Sequence, residues 1–183
     1  QQITLSAGAN PRLPPAAAAA AAVPPAKREE RTIFISTFNM GEAEAEDLGD
    51  IGMWIPQGHD VYVIGLQEAL DPSKVRRILH DFLGKDEWVM FKSDIGSSKT
   101  ELGFHGFISL TIFAKVEDVE AGVFCETEAA DQKIHQGKRL GPTRAANKGA
   151  VALPFLYYDT SLAFITAHFA SDSRGRRRLR RRR

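Results

Sequence analysis

The chain has 183 residues and is 43% hydrophobic, 26% charged and 9% aromatic, the length of one domain or slightly more and the composition of a globular protein. No apolar run reaches the ~18 residues of a membrane span, which argues against an integral membrane protein. The net charge of +1 hides an asymmetry: eight arginines crowd residues 174–183, so residues 1–173 carry about −7 and the two regions call for different partners.

The N-terminal stretch is rich in alanine and proline. Five of the nine prolines lie in the first 25 residues, where they remove backbone donors and favour extended chain. Ala16 to Ala22 is apolar enough to raise the idea of a signal segment, but proline flanks it on both sides and no basic region precedes it. Residues 1–30 are therefore expected to be a disordered low-complexity segment, with order beginning near Arg31. The first residue is Gln1, which reads as a processed or fragmentary start.

Thr32 to Phe38 (TIFISTF) is rich in β-branched and aromatic residues and predicts a buried strand. Residues 42–50 are acidic, contain Gly49, and read as a surface loop with at most a short helix. Asp60 to Leu66 (DVYVIGL) is a nearly continuous apolar run, the pattern of a parallel or doubly covered strand. A helix follows: Asp71 suits the N-cap and Pro72 the first turn, Val75, Ile78, Leu79, Phe82 and Leu83 recur on one face, and Gly84 ends it. Strands are predicted at Glu87–Phe91, at Phe104–Val116 and, more weakly, at Ala121–Glu126. Lys148–Phe155 and Ser161–Phe169 read as two more, joined by a hairpin turn at Tyr158-Asp159-Thr160. The lone Cys125 makes no internal disulfide and reads as a buried, inert thiol, which favours a reducing compartment. Strands and one clear helix followed by strands in succession predict an α/β sandwich rather than a doubly wound sheet.

Three strands deliver a polar group at their carboxyl ends: Asn39, Gln67-Glu68 and His168. Ligands of α/β proteins commonly sit there, and hard cations such as Mg²⁺ prefer carboxylate and amide oxygens. Asn147-Lys148-Gly149 places a cation beside an open backbone, which suits a phosphate, and Lys138 to Arg144 adds further cations. Each alone has a plainer explanation. Asn39 before Gly41 fits turn chemistry, Glu68 a solvated loop, His168 a satisfied core histidine, and Lys148 an ordinary turn.

The order and wording of the pieces narrow the choice. Phe38-Asn39-Met40-Gly41, Trp54-Ile55-Pro56, the run from Asp60 to Glu68, Gly103 to Ile108 (GFHGFI), Asn147 to Val151 (NKGAV) and Thr166 to Asp172 (TAHFASD) follow one another. From about Arg31 to its end the chain resembles the inositol polyphosphate 5-phosphatases of the endonuclease/exonuclease/phosphatase superfamily. The resemblance implies a DNase I-like sandwich of mixed β-sheets flanked by helices, of which these residues are the N-terminal half. It also implies Mg²⁺ as cofactor, Glu68 and Asn39 at the metal, and His168 with Asn39 as catalytic residues. Lys148, Asn147 and Arg144 would lie at the substrate phosphates, Ala150 standing where relatives have a second glycine.

The implied reaction is in-line attack of water on a phosphomonoester, removing the 5-phosphate of a phosphoinositide or a soluble inositol phosphate. The implied location is cytoplasmic, peripheral at membranes. The family's later "GDLNYR", "WCDR" and "SDH" motifs do not occur in these residues. The first would supply the water-activating aspartate, so little or no turnover is expected from this stretch alone. Two other readings stay open: a nuclease or phosphodiesterase on the same fold, and a non-catalytic protein whose arginine tail, 174–183, binds phosphates of nucleic acid or anionic lipid.

Overall fold

In the computed structural model, residues 30–97, 106–127, 132–135, 139–140, 143–144 and 148–169 are described. The chain divides into two units, Gln1–Glu30 and Arg31–Arg183. The expected disordered segment, the basic tail and Gly103 to His105 lie outside the described residues.

Ten strands and three α-helices make up the described part. β1 (Ile33–Asn39) is followed by a single 3-10 turn (Ala45–Leu48) and α1 (Ile51–Trp54); then come β2 (Val61–Ala69), α2 (Pro72–Leu83), β3 (Trp88–Ser97) and β4 (Gly106–Lys115). α3 (Val116–Glu120), β5 (Phe124–Glu126), β6 (Gln132–His135), β7 (Arg139–Leu140), β8 (Thr143–Arg144), β9 (Gly149–Tyr157) and β10 (Thr160–His168) complete it. One sheet has the order β1-β2-β4-β3, with β1 parallel to β2 and the other pairs antiparallel. The second runs β10-β9-β5, with β6 also on β9, and is antiparallel throughout; β7 and β8 form a separate two-stranded ladder.

Two apolar cores account for three layers. Val61 and Val63 of β2 pack with Leu110 and Ile112 of β4 against Leu153, Phe155 and Phe164 of the second sheet. Tyr62, Ile64 and Leu66, on the other face of β2, pack against Val75 and Leu79 of α2 and Ile51 and Ile55 around α1. The continuous apolar run of β2 thus reflects a strand covered on both faces. β9 instead alternates buried and half-buried residues, as a strand covered on one face does. The α/β sandwich is as the sequence predicts, one sheet mixed and the other antiparallel, with helices α1 and α2 on one side.

The helix at 72–83 starts as expected, the Asp71 side chain accepting from the Lys74 amide with Pro72 in the first turn. Other boundaries differ for physical reasons. β3 runs on to Ser97, well past Phe91, because its Asp94 has a partner inside: Arg76, 3% exposed, donates to Asp94 Oδ1 at 2.8 Å and to Ser109 Oγ of β4 at 3.0 Å. The strand predicted through Val116 stops at Lys115, where acidic Glu117 and Asp118 open α3. Cys125 is half-buried rather than buried, because it faces away from the core that its neighbour Phe124 enters.

Candidate functional site

The parallel pairing of β1 and β2 brings Asn39 opposite Gln67 at the carboxyl ends of both strands. Beyond the ladder the chains stay stitched: the Met40 amide donates to the Gln67 carbonyl at 2.8 Å and the Glu42 amide to the Glu68 carbonyl at 3.0 Å. Asn39 is exposed, and its Oδ1 accepts from the Gly41 amide at 2.9 Å. The turn chemistry visible in the sequence is therefore present, and the second lone pair of that oxygen stays available.

Glu68 is held by irregular backbone. The β2–β4 register shifts between Leu66 and Ala69, and Glu68 has φ 53°, a left-handed conformation that a residue with a long side chain rarely takes. A bulge of this kind re-aims a side chain out of the regular alternation. Across the ladder Gly106, at φ 100°, makes room for it: a Cβ there would lie 3.2 Å from the Glu68 Cα. The last glycine of the GFHGFI segment is thus explained by the carboxylate's backbone.

The second sheet supplies the rest. In the β9–β10 hairpin His168 stands opposite Gly149, so Lys148, one residue earlier, lies beside the imidazole. Lys148 Nζ is 2.8 Å from His168 Nε2, and Glu68 Oε1 is 3.4 Å from that nitrogen and 3.6 Å from Nζ. Burial and the neighbouring Lys148 ammonium hold the His168 pKa below its ordinary value, with Glu68 acting in the opposite sense. An ammonium only donates, so the ring nitrogen facing Lys148 accepts, as it does in a neutral imidazole.

Glu68 of β2, His168 of β10 and Lys148, the residue just before β9, meet in one place, and Asn39 ends β1 beside β2. Arg144 lies in β8, but its side chain and all of Asn147 are outside the described residues. The sequence reading left Gln67 without a role, and did not single out Thr37 or Thr166. The Gln67 amide Nε2 lies 2.9 Å from Thr37 Oγ1 and 2.9 Å from Thr166 Oγ1. An isolated glycine inside an apolar strand, Gly65, was the available signal of a close approach.

Among the described residues no group of three or more His, Cys, Asp or Glu side chains could hold a metal ion. The donor set still fits a hard cation. A carboxylate oxygen and an amide oxygen at adjacent strand ends suit Mg²⁺, which commonly takes one or two protein carboxylates and fills its shell with water or phosphate.

A mixed two-sheet sandwich with a carboxylate, a neutral imidazole and an ammonium at its strand ends has the parts of a phosphate-handling site. Residues 36–183 match the Endonuclease/Exonuclease/phosphatase family 2, and the chain belongs to that family. It is 29% identical over 160 residues to rat phosphatidylinositol 3,4,5-trisphosphate 5-phosphatase 1, covering 78% of this chain and 12% of the relative. It is 27% identical over 144 residues to mouse type II inositol 1,4,5-trisphosphate 5-phosphatase, covering 76% and 14%. With the Schizosaccharomyces pombe inositol-1,4,5-trisphosphate 5-phosphatase 1 it shares 29% over 147 residues, covering 76% and 13%. The resemblance to inositol polyphosphate 5-phosphatases is thereby borne out, and the chain spans only 12–14% of these relatives' length. The crystal structure of a humanized D. rerio TDP2 overlaps 80% of this chain and 51% of its own at 16% identity. Its TM-score of 0.41 is too low to carry an argument.

Proposed function

We propose that the chain carries the metal-side half of a Mg²⁺-dependent phosphomonoester hydrolase that removes the 5-phosphate from phosphoinositides or inositol polyphosphates. The observation that carries this reading is the meeting of Glu68, His168 and Lys148 within 3.6 Å, in a chain whose relatives are named as 5-phosphatases.

Glu68 and Asn39 are the residues that would hold the cation. When bound, Mg²⁺ would neutralise charge developing on the phosphoryl oxygens. His168, neutral and oriented by Lys148, presents a ring nitrogen to the same space, where a donor or acceptor to a phosphate oxygen is needed. Lys148, with Asn147 and Arg144, supplies positive and polar groups for an anionic head group. A phosphoinositide substrate goes with a cytoplasmic protein that works peripherally at membranes; among the described residues no helix is long and apolar enough to cross one.

The test is phosphate release from an inositol trisphosphate bearing a 5-phosphate, with and without Mg²⁺. It compares these 183 residues with a longer form that also carries the GDLNYR-, WCDR- and SDH-type motifs. The longer form is expected to turn over and to lose activity in Glu68→Ala, whereas the present stretch shows little or none. Preferential cleavage of DNA by the longer form would favour the nuclease reading. Mg²⁺-dependent release that survives Glu68→Ala would overturn the assignment of the metal site.

A further inference from the structure

The face of β2 that looks toward the second sheet begins as dry core, with Val61 and Val63. It continues through Gly65 and ends at Gln67, which is only 9% exposed. An aliphatic side chain at 67 would extend that core, so an amide buried there calls for a reason beyond packing. Both of its N–H donors are used, on Thr37 and on Thr166, the latter 4% exposed.

The three partners stand in a fixed relation to the site. Thr37 lies two residues before Asn39 on β1, and Thr166 two residues before His168 on β10, so each shares a strand face with its site residue. Gln67 immediately precedes Glu68. Gly65 permits the approach: a Cβ there would fall 2.7 Å from Thr166 Oγ1 and 3.0 Å from its Cβ.

We propose that the Gln67 side-chain amide is a positioning bridge, which ties β1 and β2 of one sheet to β10 of the other and so sets the spacing of Asn39, Glu68 and His168. Between the polar clusters at the strand ends the sheets meet through apolar contacts, which are non-directional and tolerate sliding. Of the two hydrogen bonds, the one to Thr37 holds the amide on its own sheet and the one to Thr166 crosses to the other; being directional, the pair fixes the approach of the sheets at the end where the chemistry is placed. Gln67 touches no reacting group in this account; it acts through the residues it aligns.

The experiment compares Gln67→Met, Thr166→Val and Thr166→Ser in the full 183-residue chain. Valine keeps the shape of threonine and loses the hydroxyl, whereas serine keeps the hydroxyl and loses a methyl. The first readout is the pair of ring resonances of His168, assigned by their loss in His168→Asn, with those of His59 and His80 as internal references. Positioning by hydrogen bonds predicts that Gln67→Met and Thr166→Val displace the His168 resonances and leave the references in place, and that Thr166→Ser does not. A packing role predicts the opposite order for the two Thr166 variants, and that order would overturn the proposal. So would an unmoved His168 signal in Gln67→Met.

The second readout, Mn²⁺ affinity from the resonance of the free ion, rests on the function proposed above. Loss of a group that orients a metal ligand is expected to weaken binding about tenfold in Gln67→Met and Thr166→Val. Absence of Glu68-dependent Mn²⁺ binding in the unaltered chain would count against the metal site alone, because the histidine signals judge the bridge without any cation.

Discussion

The strands of this sandwich carry charged side chains at both ends, and the two ends treat them differently. Where β1 and β2 begin, Asp60 accepts from Lys115 at 2.8 Å, from the Thr32 amide at 2.8 Å and from the Thr32 hydroxyl at 3.1 Å, with Arg31 at 3.3 Å. Arg31 also reaches the Tyr158 hydroxyl, and Tyr157 donates to Asp118 at 2.7 Å. Where β1, β2 and β10 end, Glu68 has a lysine at 3.6 Å and a histidine at 3.4 Å, and Asn39 faces solvent. The first cluster closes on itself and fastens the hairpin turn to the start of the sheet. The second leaves oxygen acceptors with capacity to spare, as a site for a ligand must.

The comparison breaks if substitutions at the two ends have similar consequences. The largest effect belongs to the open end. Glu68→Gln in a form carrying the remaining motifs should lower phosphate release by about 10³-fold or more, equivalent to roughly 4 kcal/mol. The same change should move the unfolding midpoint little, a shift of about 0.5 kcal/mol at most. The opposite end should behave in reverse. Asp60→Ala removes the carboxylate that Lys115 and Arg31 share, although Arg31 keeps Asp118 at 3.7 Å, and should cost about 2–3 kcal/mol in denaturant unfolding, with Mn²⁺ affinity unchanged.

The pH dependence of stability sharpens the same point. Burial alone would raise the Asp60 carboxyl, but hydrogen bonds from Lys115 and the Thr32 amide outweigh it and bring the pKa down to about 2. A carboxyl lower in the folded than in the unfolded chain stabilises fully above about pH 4, and that contribution disappears as pH falls toward 2. About 2 kcal/mol should be lost across that window, and Asp60→Asn should flatten the dependence there.

Gly106→Ala should cost about 1–2 kcal/mol, from the positive φ and the tight approach to Glu68, and should weaken Mn²⁺ binding as well. The smallest change is expected at the exposed Lys85–Asp81 pair on α2, where Lys85→Ala should alter stability by about 0.3 kcal/mol, within the scatter of most unfolding curves.

Several parts of the fold were legible in the residues alone. The helix at 72–83 announces its cap, its apolar face and its terminating glycine, all local signals. The β2 and β9–β10 strands carry apolar patterns that few other structures accommodate. The sequence predicts β3 too short because Lys92-Ser93-Asp94 interrupts the apolar run, and the partner of Asp94, the buried Arg76, lies 18 residues away in sequence. In the same way Glu68, His168 and Lys148 could each be suspected from their strand-end positions and motif wording. Nothing local distinguished Glu68 from a solvated loop residue.

By itself, then, the sequence determined the two-sheet α/β class, the placement of the clear elements and the identity of the polar groups at the strand ends. Those follow from periodicity, capping and residue type, which act over a few residues. The tertiary structure alone decided that Glu68, His168 and Lys148 lie within 3.6 Å of one another, that a bulge turns Glu68, and that a buried amide spans both sheets. Such features depend on register and sheet-to-sheet approach, and these are set by contacts between residues as far apart as Gly65 and Thr166.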